Sequence, residues 1–207
     1  MSDRYVISLC DYSGVWSQPY RDAGYTVIQV DTKLGGDARL WPSKMSNEPR
    51  YSREFLDIAP YIGRTRMVLC APVCTVFSGS GAKHRRSDDD MREALALVDA
   101  CIRIATVTGS DWALENPVGK LYKWLGPKAM TFQPCDYALH ADNPDSEAYT
   151  KRTLLWGQFN TDLPLGRVEP VLGSKLWRDY GGKSERTKEL RSITPQGFSR
   201  AFYMANQ

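Results

Sequence analysis

The sequence lacks the features that mark membrane proteins, metal sites and disulfide-rich proteins. It has no apolar run near the roughly 20 residues that span a bilayer, and Met1–Tyr5 lacks the charged-then-apolar pattern of a signal peptide. It has only two histidines and no Cys-x-x-Cys pair. Its five cysteines are odd in number and lie in apolar contexts, so neither a disulfide framework nor a zinc site is expected. These absences favour a cytoplasmic protein with no membrane or metal partner.

The composition is that of an ordinary globular protein. Of 207 residues, 42% are hydrophobic and 25% are charged, and the net charge is +3. A chain of this length can bury one good core, so we expect a single domain over residues 1–207. The net charge is too small to indicate nucleic-acid binding by itself. Basic residues instead form two clusters, at residues 83–86 and 183–191.

Apolar runs alternate with helical patterns, which predicts an α/β fold. Strands are expected at residues 5–10, 25–30, 68–72, 111–114 and 153–157, and helices at 16–23, 87–105 and from Thr194-Pro195 onward. The helix that begins near Ser87 has acidic N-terminal residues and apolar residues at helical spacing. Residues 35–50 are predicted to form a long surface connection, residues 140–146 a polar loop, and residues 122–132 are ambiguous.

A cysteine follows the central apolar run. The run ends in Ala71-Pro72, and Cys74 then precedes a glycine-containing segment, which predicts a buried strand that delivers a thiol to a loop. In open α/β sheets the chemistry is found at the carboxyl ends of the strands. The alternative is that Cys74 is simply a small buried hydrophobic residue.

Two carboxylates also follow predicted strands. Asp31 comes about 17 positions after Gly14, where a nucleotide-binding βαβ unit holds ribose hydroxyls, although a plain crossover would explain it as well. Glu115-Asn116-Pro117 presents a carboxylate and an amide, or is simply a strand-ending turn. A thiol, an acid and a cation at strand ends meet the needs of one reaction on a pyrimidine. The thiolate adds to carbon 6, the acid donates to nitrogen 3, the cation stabilises the oxygen on carbon 2, and carbon 5 can then accept a methyl group.

Four segments resemble motifs of the DNA (cytosine-5) methyltransferase family, especially its short phage-type members. Pro72–Ser78 is similar to the Pro-Pro-Cys-x-x-Phe-Ser motif, and Glu115–Pro117 to Glu-Asn-Val. Arg152 falls at the Gln-x-Arg-x-Arg motif, and Arg191–Pro195 is similar to Arg-x-Leu-Thr-Pro. The resemblance implies that Cys74 is the nucleophile and Glu115 the acid. The carbon-2 oxygen contact falls to Arg152 or Lys151.

The resemblance also implies a fold, a cofactor and a substrate. The fold is a Rossmann-like S-adenosylmethionine-dependent methyltransferase fold with a mostly parallel sheet flanked by helices. The substrate is a cytosine flipped out of DNA, in a bacterial or phage-infected host cytoplasm. The implied S-adenosylmethionine-binding residues are Tyr12, Ser13, Gly14, Trp16, Asp31, Asp57, Ile58 and Pro72. The implied DNA-binding residues are Ser78, Lys83, Arg85, Arg86, Asn116, Lys151, Arg191 and Thr194.

The sequence departs from the family pattern in three places. Tyr12-Ser13-Gly14 corresponds to the family's Phe-x-Gly-x-Gly loop but keeps only one of its glycines, Gly14. Residues 158–190 are a reduced remnant of the target-recognition region. The helix that completes the cofactor pocket is expected to be missing because the sequence ends at Gln207. Two alternatives therefore stay open. One is the same chemistry on a free cytosine nucleotide, on single-stranded DNA or with a modified donor. The other is a non-catalytic relative that binds nucleic acid or the cofactor.

Overall fold

The computed structural model describes residues 4–41, 58–78, 86–174 and 185–207, which contain one sheet with helices on both faces. The strands are β1 (Tyr5–Leu9), β2 (Thr26–Val30), β3 (Thr65–Cys70), β4 (Asp111–Pro117), β5 (Met130–Phe132) and β6 (Thr153–Gln158). The α-helices are α1 (Gln18–Asp22), α2 (Asp88–Thr108), α3 (Tyr122–Leu125), α4 (Glu185–Ser192) and α5 (Gln196–Asn206). Short 3₁₀ helices cover Thr32–Leu34, Ala59–Tyr61, Pro134–Asp136, Ala138–His140 and Pro144–Glu147.

The sheet is mixed but mostly parallel, with the order β2-β1-β3-β4-β6-β5. Strands β1 to β4 pair in parallel, whereas β6 is antiparallel to both β4 and β5. This confirms the predicted α/β class and is compatible with a Rossmann-like fold. The chain passes from β1 to β2 on one side and then crosses to β3 on the other, so a crevice is expected at the carboxyl ends of β1 and β3.

The central strands are continuous apolar runs because both of their faces are covered. On one face, Ile7, Leu9 and Val68 pack against α2. This helix begins with a capping box, in which the Ser87 hydroxyl accepts a hydrogen bond from the Asp90 N–H and the Asp90 carboxylate accepts one from the Ser87 N–H. The structure therefore confirms the helix that was predicted from Ser87.

The other face of the sheet is covered by α1, α5 and a cluster of aromatic rings. Trp16 is fully buried there, with its ring centroid 6.0 Å from that of Phe198 and 5.6 Å from that of Phe202. The resemblance placed Trp16 in the cofactor site. The structure corrects this, because the Trp16 indole packs in the core.

Helix α5 is the helix that was predicted from Thr194-Pro195 onward, and it contacts α1. Its N-cap is Pro195, one residue later than predicted. Since proline has no side-chain acceptor, the cap comes from a distant residue: the Glu147 carboxylate accepts hydrogen bonds from the N–H groups of Gln196 (2.5 Å) and Gly197 (3.0 Å). Glu147 therefore fixes the position of α5.

Some connecting segments differ from their predictions. Ala38 and Trp41 are each 2% exposed and belong to the core, so the start of the predicted surface connection is buried. The ambiguous stretch 122–132 forms α3 and β5, and the predicted polar loop at 140–146 contains 3₁₀ turns. Residues 166–172 lie alongside the segment 135–148, to which they are joined by backbone hydrogen bonds of 2.9–3.0 Å. This part of the predicted recognition remnant therefore packs against the sheet domain, whereas residues 175–184 lie outside the described ranges.

Candidate functional site

Cys74 lies at the carboxyl edge of the sheet, in a turn that follows β3. The strand ends at Cys70, earlier than predicted. The Cys74 carbonyl accepts hydrogen bonds from the N–H groups of Phe77 (3.1 Å) and Ser78 (2.8 Å), which close the turn. The Cys74 side chain is half-buried. The thiol is therefore presented at the sheet edge by a turn whose backbone bonds do not involve the sulfur.

The turn is fixed to the segment that follows β4. Asn116 Nδ2 donates to the carbonyl of buried Pro72 (3.1 Å), and the Lys120 N–H donates to the Phe77 carbonyl (2.7 Å). At Gly119 an added Cβ would lie 2.0 Å from the Phe77 oxygen, so only glycine permits this approach. Asn116 and Gly119 therefore hold the Cys74 turn against the end of β4 and the segment that follows it.

Glu115 lies near the end of β4, on the strand next to the one that leads to Cys74. Its side chain is 8% exposed, and its Oε2 has no hydrogen-bond partner among the described residues. Burial raises the pKa of Glu115, Asp11 raises it further, and Lys151 opposes both effects. This carboxyl therefore retains a proton to higher pH than an ordinary glutamate, as a general acid requires.

The Glu115 carboxyl influences the ionisation of the Cys74 thiol. Burial raises the pKa of Cys74 and the Glu115 carboxylate raises it further, whereas Lys151 and Arg191 lower it. When Glu115 is protonated, its repulsion of the thiolate disappears and the two cations remain. The site therefore favours the combination of a neutral acid and a thiolate over two adjacent anions.

The cation beside this pair is Lys151. Its Nζ donates to the Arg191 carbonyl (3.0 Å). Arg152 is exposed and lines a separate cavity with Leu154 and Trp156, on the other face of β6. Successive residues of an extended chain point to opposite faces, so only one of these neighbours can face the thiol. The structure thus places Lys151, the alternative that the sequence left open, beside Cys74 and Glu115, and it places Arg152 at the separate cavity.

Thiol alkylation tests this assignment with a matched pair of variants. Lys151→Met removes a cation that lowers the pKa of Cys74, so we expect iodoacetamide to alkylate Cys74 roughly threefold to tenfold more slowly at pH 8. Arg152→Met should leave the rate unchanged. The rate is measured on the Cys74 peptide by mass spectrometry, as a function of pH. Equal slowing in both variants, or slowing in Arg152→Met alone, would contradict the assignment.

Asp11 shapes the loop that follows β1. Its buried carboxylate accepts hydrogen bonds from the Gly14 N–H (2.9 Å), the Ser13 hydroxyl (2.9 Å) and the Ser8 hydroxyl (3.0 Å). Gly14 has φ +68°, and an added Cβ would lie 3.1 Å from a nitrogen of Arg21, which accounts for the glycine. The sequence predicts a turn over Asp11–Gly14, since an aspartate three residues before a glycine is a turn signal, but Asp11 was not among the predicted site residues.

Asp31 is brought to this loop from the end of β2. Its Oδ1 accepts a hydrogen bond from the Lys33 N–H (2.8 Å). Burial raises the pKa of Asp31, and hydrogen bonds from the Lys33 and Tyr12 backbone lower it. The Tyr12 ring is half-exposed, with Lys33 Nζ 5.0 Å from its centroid. A carboxylate and an exposed aromatic ring at the carboxyl ends of β2 and β1 are suited to contacts with the ribose and the base of a nucleoside.

The other predicted site residues fall into three groups. Ile58 (8% exposed) and Thr194 (3% exposed) are buried, so the structure does not place the Thr194 side chain on a DNA-facing surface. Arg86 donates to the Thr75 carbonyl (3.1 Å), next to Cys74. Predicted residues that lie outside the described ranges are Asp57, Lys83 and Arg85.

A cavity of about 130 Å³ lies between the Ser13–Gly14 turn, α1 and α5. It is smaller than the ~300–1,000 Å³ of typical small-molecule sites. Ser13 and Gly14 line it but Asp31 and Pro72 do not, so it includes only part of the predicted cofactor site. Within the described residues, no helix is long and apolar enough to cross a membrane, and no His, Cys, Asp or Glu cluster could hold a metal ion.

Comparison with known proteins does not assign a family. No protein-family model matches the chain, and no curated protein matches it. The assignment of activity therefore depends on the site geometry and on the motifs of the sequence.

Proposed function

We propose that this protein transfers a methyl group from S-adenosylmethionine to carbon 5 of cytosine in DNA, through a covalent adduct with Cys74. The observation that carries the proposal is the pairing of Cys74 with Glu115. A half-buried thiol lies beside a buried carboxyl whose pKa is raised, at adjacent strand ends, with Lys151 next to both. A structural cysteine would need neither the acid nor the cation.

The reaction uses each of these groups at a stated atom of the base. The Cys74 thiolate forms a bond to carbon 6, and protonated Glu115 gives its proton to nitrogen 3, so that carbon 5 becomes nucleophilic. Lys151 stabilises the negative charge on the carbon-2 oxygen. After carbon 5 has taken the methyl group, it gives its proton to water and the sulfur–carbon bond breaks, which releases the Cys74 thiolate. Nitrogen 3 returns its proton to Glu115, so the aromatic ring and both side chains are restored.

The loop after β1 and the end of β2 would hold the cofactor. When bound, S-adenosylmethionine supplies an electrophilic methyl group on a sulfonium sulfur. Asp31 would accept hydrogen bonds from the ribose hydroxyls, and Tyr12 offers its exposed ring to the nucleoside. Asp11 keeps the Ser13–Gly14 turn in place.

The substrate is proposed to be DNA that is recognised with little sequence specificity. A cytosine in a duplex must leave the base stack before Cys74 can reach it. The described part of residues 158–190 packs against the sheet domain instead of forming a separate domain that could read base edges. Arg86, which is tied to the Cys74 turn, is a candidate phosphate contact beside the reacting base.

A trapping experiment tests the proposal. A duplex with 5-fluorocytosine is mixed with the protein and S-adenosylmethionine. Because fluorine does not leave carbon 5 as a proton does, the adduct cannot break down, and mass spectrometry should find the methylated nucleotide attached to Cys74. The same duplex with unmodified cytosine, which releases its product, serves as the control.

Parallel samples separate the alternative substrates. Adduct formation with 5-fluorocytosine in a single strand, or as a free nucleotide, but not in a duplex, would keep the chemistry and change the substrate. Absence of an adduct in all three samples, with DNA binding retained, would contradict the enzymatic proposal and favour a non-catalytic binding protein.

A further inference from the structure

A basic and aromatic surface surrounds α3, next to the Cys74 turn. We call it the α3 surface and define it as residues 118–128 together with Arg152. No acidic residue occurs in the sequence between Glu115 and Asp136, whereas three lysines do. None of Lys120, Lys123, Lys128 and Arg152 forms an ion pair with a residue that the structure describes. Their charges are therefore not neutralised by the described part of the protein.

The α3 surface contains a cavity of about 330 Å³ with an aromatic lining. Tyr122, which is 54% exposed, lies at the side of the cavity. Trp156 is buried at its base, where the indole Nε1 donates a hydrogen bond to the Gly126 carbonyl (3.1 Å). Lys128 and Arg152 also line it. The volume is at the lower end of the range for small-molecule sites, which suits a unit as small as one nucleotide.

The cavity is joined to the catalytic turn by short backbone connections. Gly119, in the cavity wall, forms a β-bridge with Ser78, and the Lys120 N–H donates to the Phe77 carbonyl (2.7 Å). The Trp124 ring also contacts Phe77, with centroids 5.9 Å apart. A polymer whose reacting base reaches Cys74 would therefore extend across this surface.

We propose that the α3 surface binds the nucleic-acid strand that flanks the reacting cytosine. A neighbouring base stacks on Tyr122, and phosphates contact Lys128 and Arg152. Aromatic rings combined with unpaired cations are how proteins bind single strands without reading sequence, and the absence of acidic residues suits a phosphate backbone. This inference depends on the proposed function only for the identity of the base at Cys74. It accounts for how DNA is held although the described part of residues 158–190 packs against the sheet domain.

Fluorescence anisotropy with a labelled 12-nucleotide single strand and its duplex tests the inference. Tyr122→Ala should weaken binding roughly tenfold, because it removes one stacking partner, whereas Tyr122→Phe should retain affinity. The double variant Lys128→Ala, Arg152→Ala should reduce the slope of log affinity against log salt by about 1.4 to 1.8. Arg167→Ala, which removes one exposed cation paired with Asp136 at 3.8 Å, is the control for loss of a surface charge elsewhere and should change neither quantity.

Several results would overturn the inference. Wild-type affinity and salt slope in Tyr122→Ala and in the double variant would do so, as would binding of an acidic peptide in preference to DNA. Its failure is distinct from failure of the proposed function. Surface-dependent DNA binding without methyl transfer would retain the inference and reject the enzyme. Methyl transfer with KM and kcat unaffected by these substitutions would retain the enzyme and reject the inference.

Discussion

Replacing Cys74 with alanine is expected to abolish methyl transfer, to at least about 1,000-fold below wild type, as is typical when a covalent nucleophile is removed. Without the sulfur–carbon bond, the pyrimidine stays aromatic and carbon 5 does not become nucleophilic. The variant should fold, because the turn is closed by backbone hydrogen bonds to the Cys74 carbonyl and by Asn116, none of which uses the thiol.

Incorporation of tritiated methyl groups into duplex DNA measures this loss, and anisotropy measures DNA binding by the same variant. Cys135→Ala is the matched control, since Cys135 is a free, buried thiol in the Pro134–Asp136 turn that follows β5, two strands from β4 in the sheet. It should retain transfer. Substantial transfer by Cys74→Ala would exclude the covalent mechanism. If the variant loses transfer but still binds DNA, the loss is not caused by unfolding.

The elements that sequence reasoning placed well are those specified by local chemistry. Strands β1 and β3 are continuous apolar runs because a parallel strand is buried on both faces. Helix α2 has its capping box within four residues of sequence. Cys74 and Glu115 could be paired in advance for a similar reason: each lies at or just after the end of a parallel strand, and such strands end at the same edge of a sheet.

The residues that were misplaced depend on contacts between distant segments. Whether Lys151 or Arg152 faces the thiol is decided by how β6 pairs with β4, and β6 runs antiparallel to its neighbour. Nothing in the residues around 151 indicates that direction. The resemblance made Trp16 a cofactor contact, and only the packing of α5, whose Phe198 and Phe202 contact the indole, shows that it lies in the core.

Glu147 shows the same dependence on long-range contacts. Its carboxylate caps a helix about 50 residues further along the sequence, and no local pattern links the two segments. The acidic residue that a capping motif would normally supply within α5 itself is absent. Capping from a distant turn can therefore be recognised only from the fold.

Glu115→Gln is expected to lose transfer by about 100- to 10,000-fold, the usual contribution of a general acid, and to become more stable. The assay is the tritium incorporation described for Cys74. Asp162→Asn, at an exposed acid, is the control and should change neither activity nor stability. A Glu115→Gln variant with wild-type transfer would remove Glu115 from the mechanism.

The expected gain in stability follows from the sign of the pKa shift. Because the pKa of Glu115 is raised in the folded protein, the ionised carboxylate destabilises the fold at any pH above that pKa. Below the unfolded value, both states are protonated and the penalty disappears. Urea unfolding should therefore find the glutamine variant about 1–2 kcal/mol more stable at pH 8, the scale for a buried polar group without a partner, with the difference shrinking toward pH 4. A variant that is less stable at pH 8 would show that Glu115 contributes to the fold, whereas greater stability with lost transfer would indicate that the buried acid is retained for the reaction.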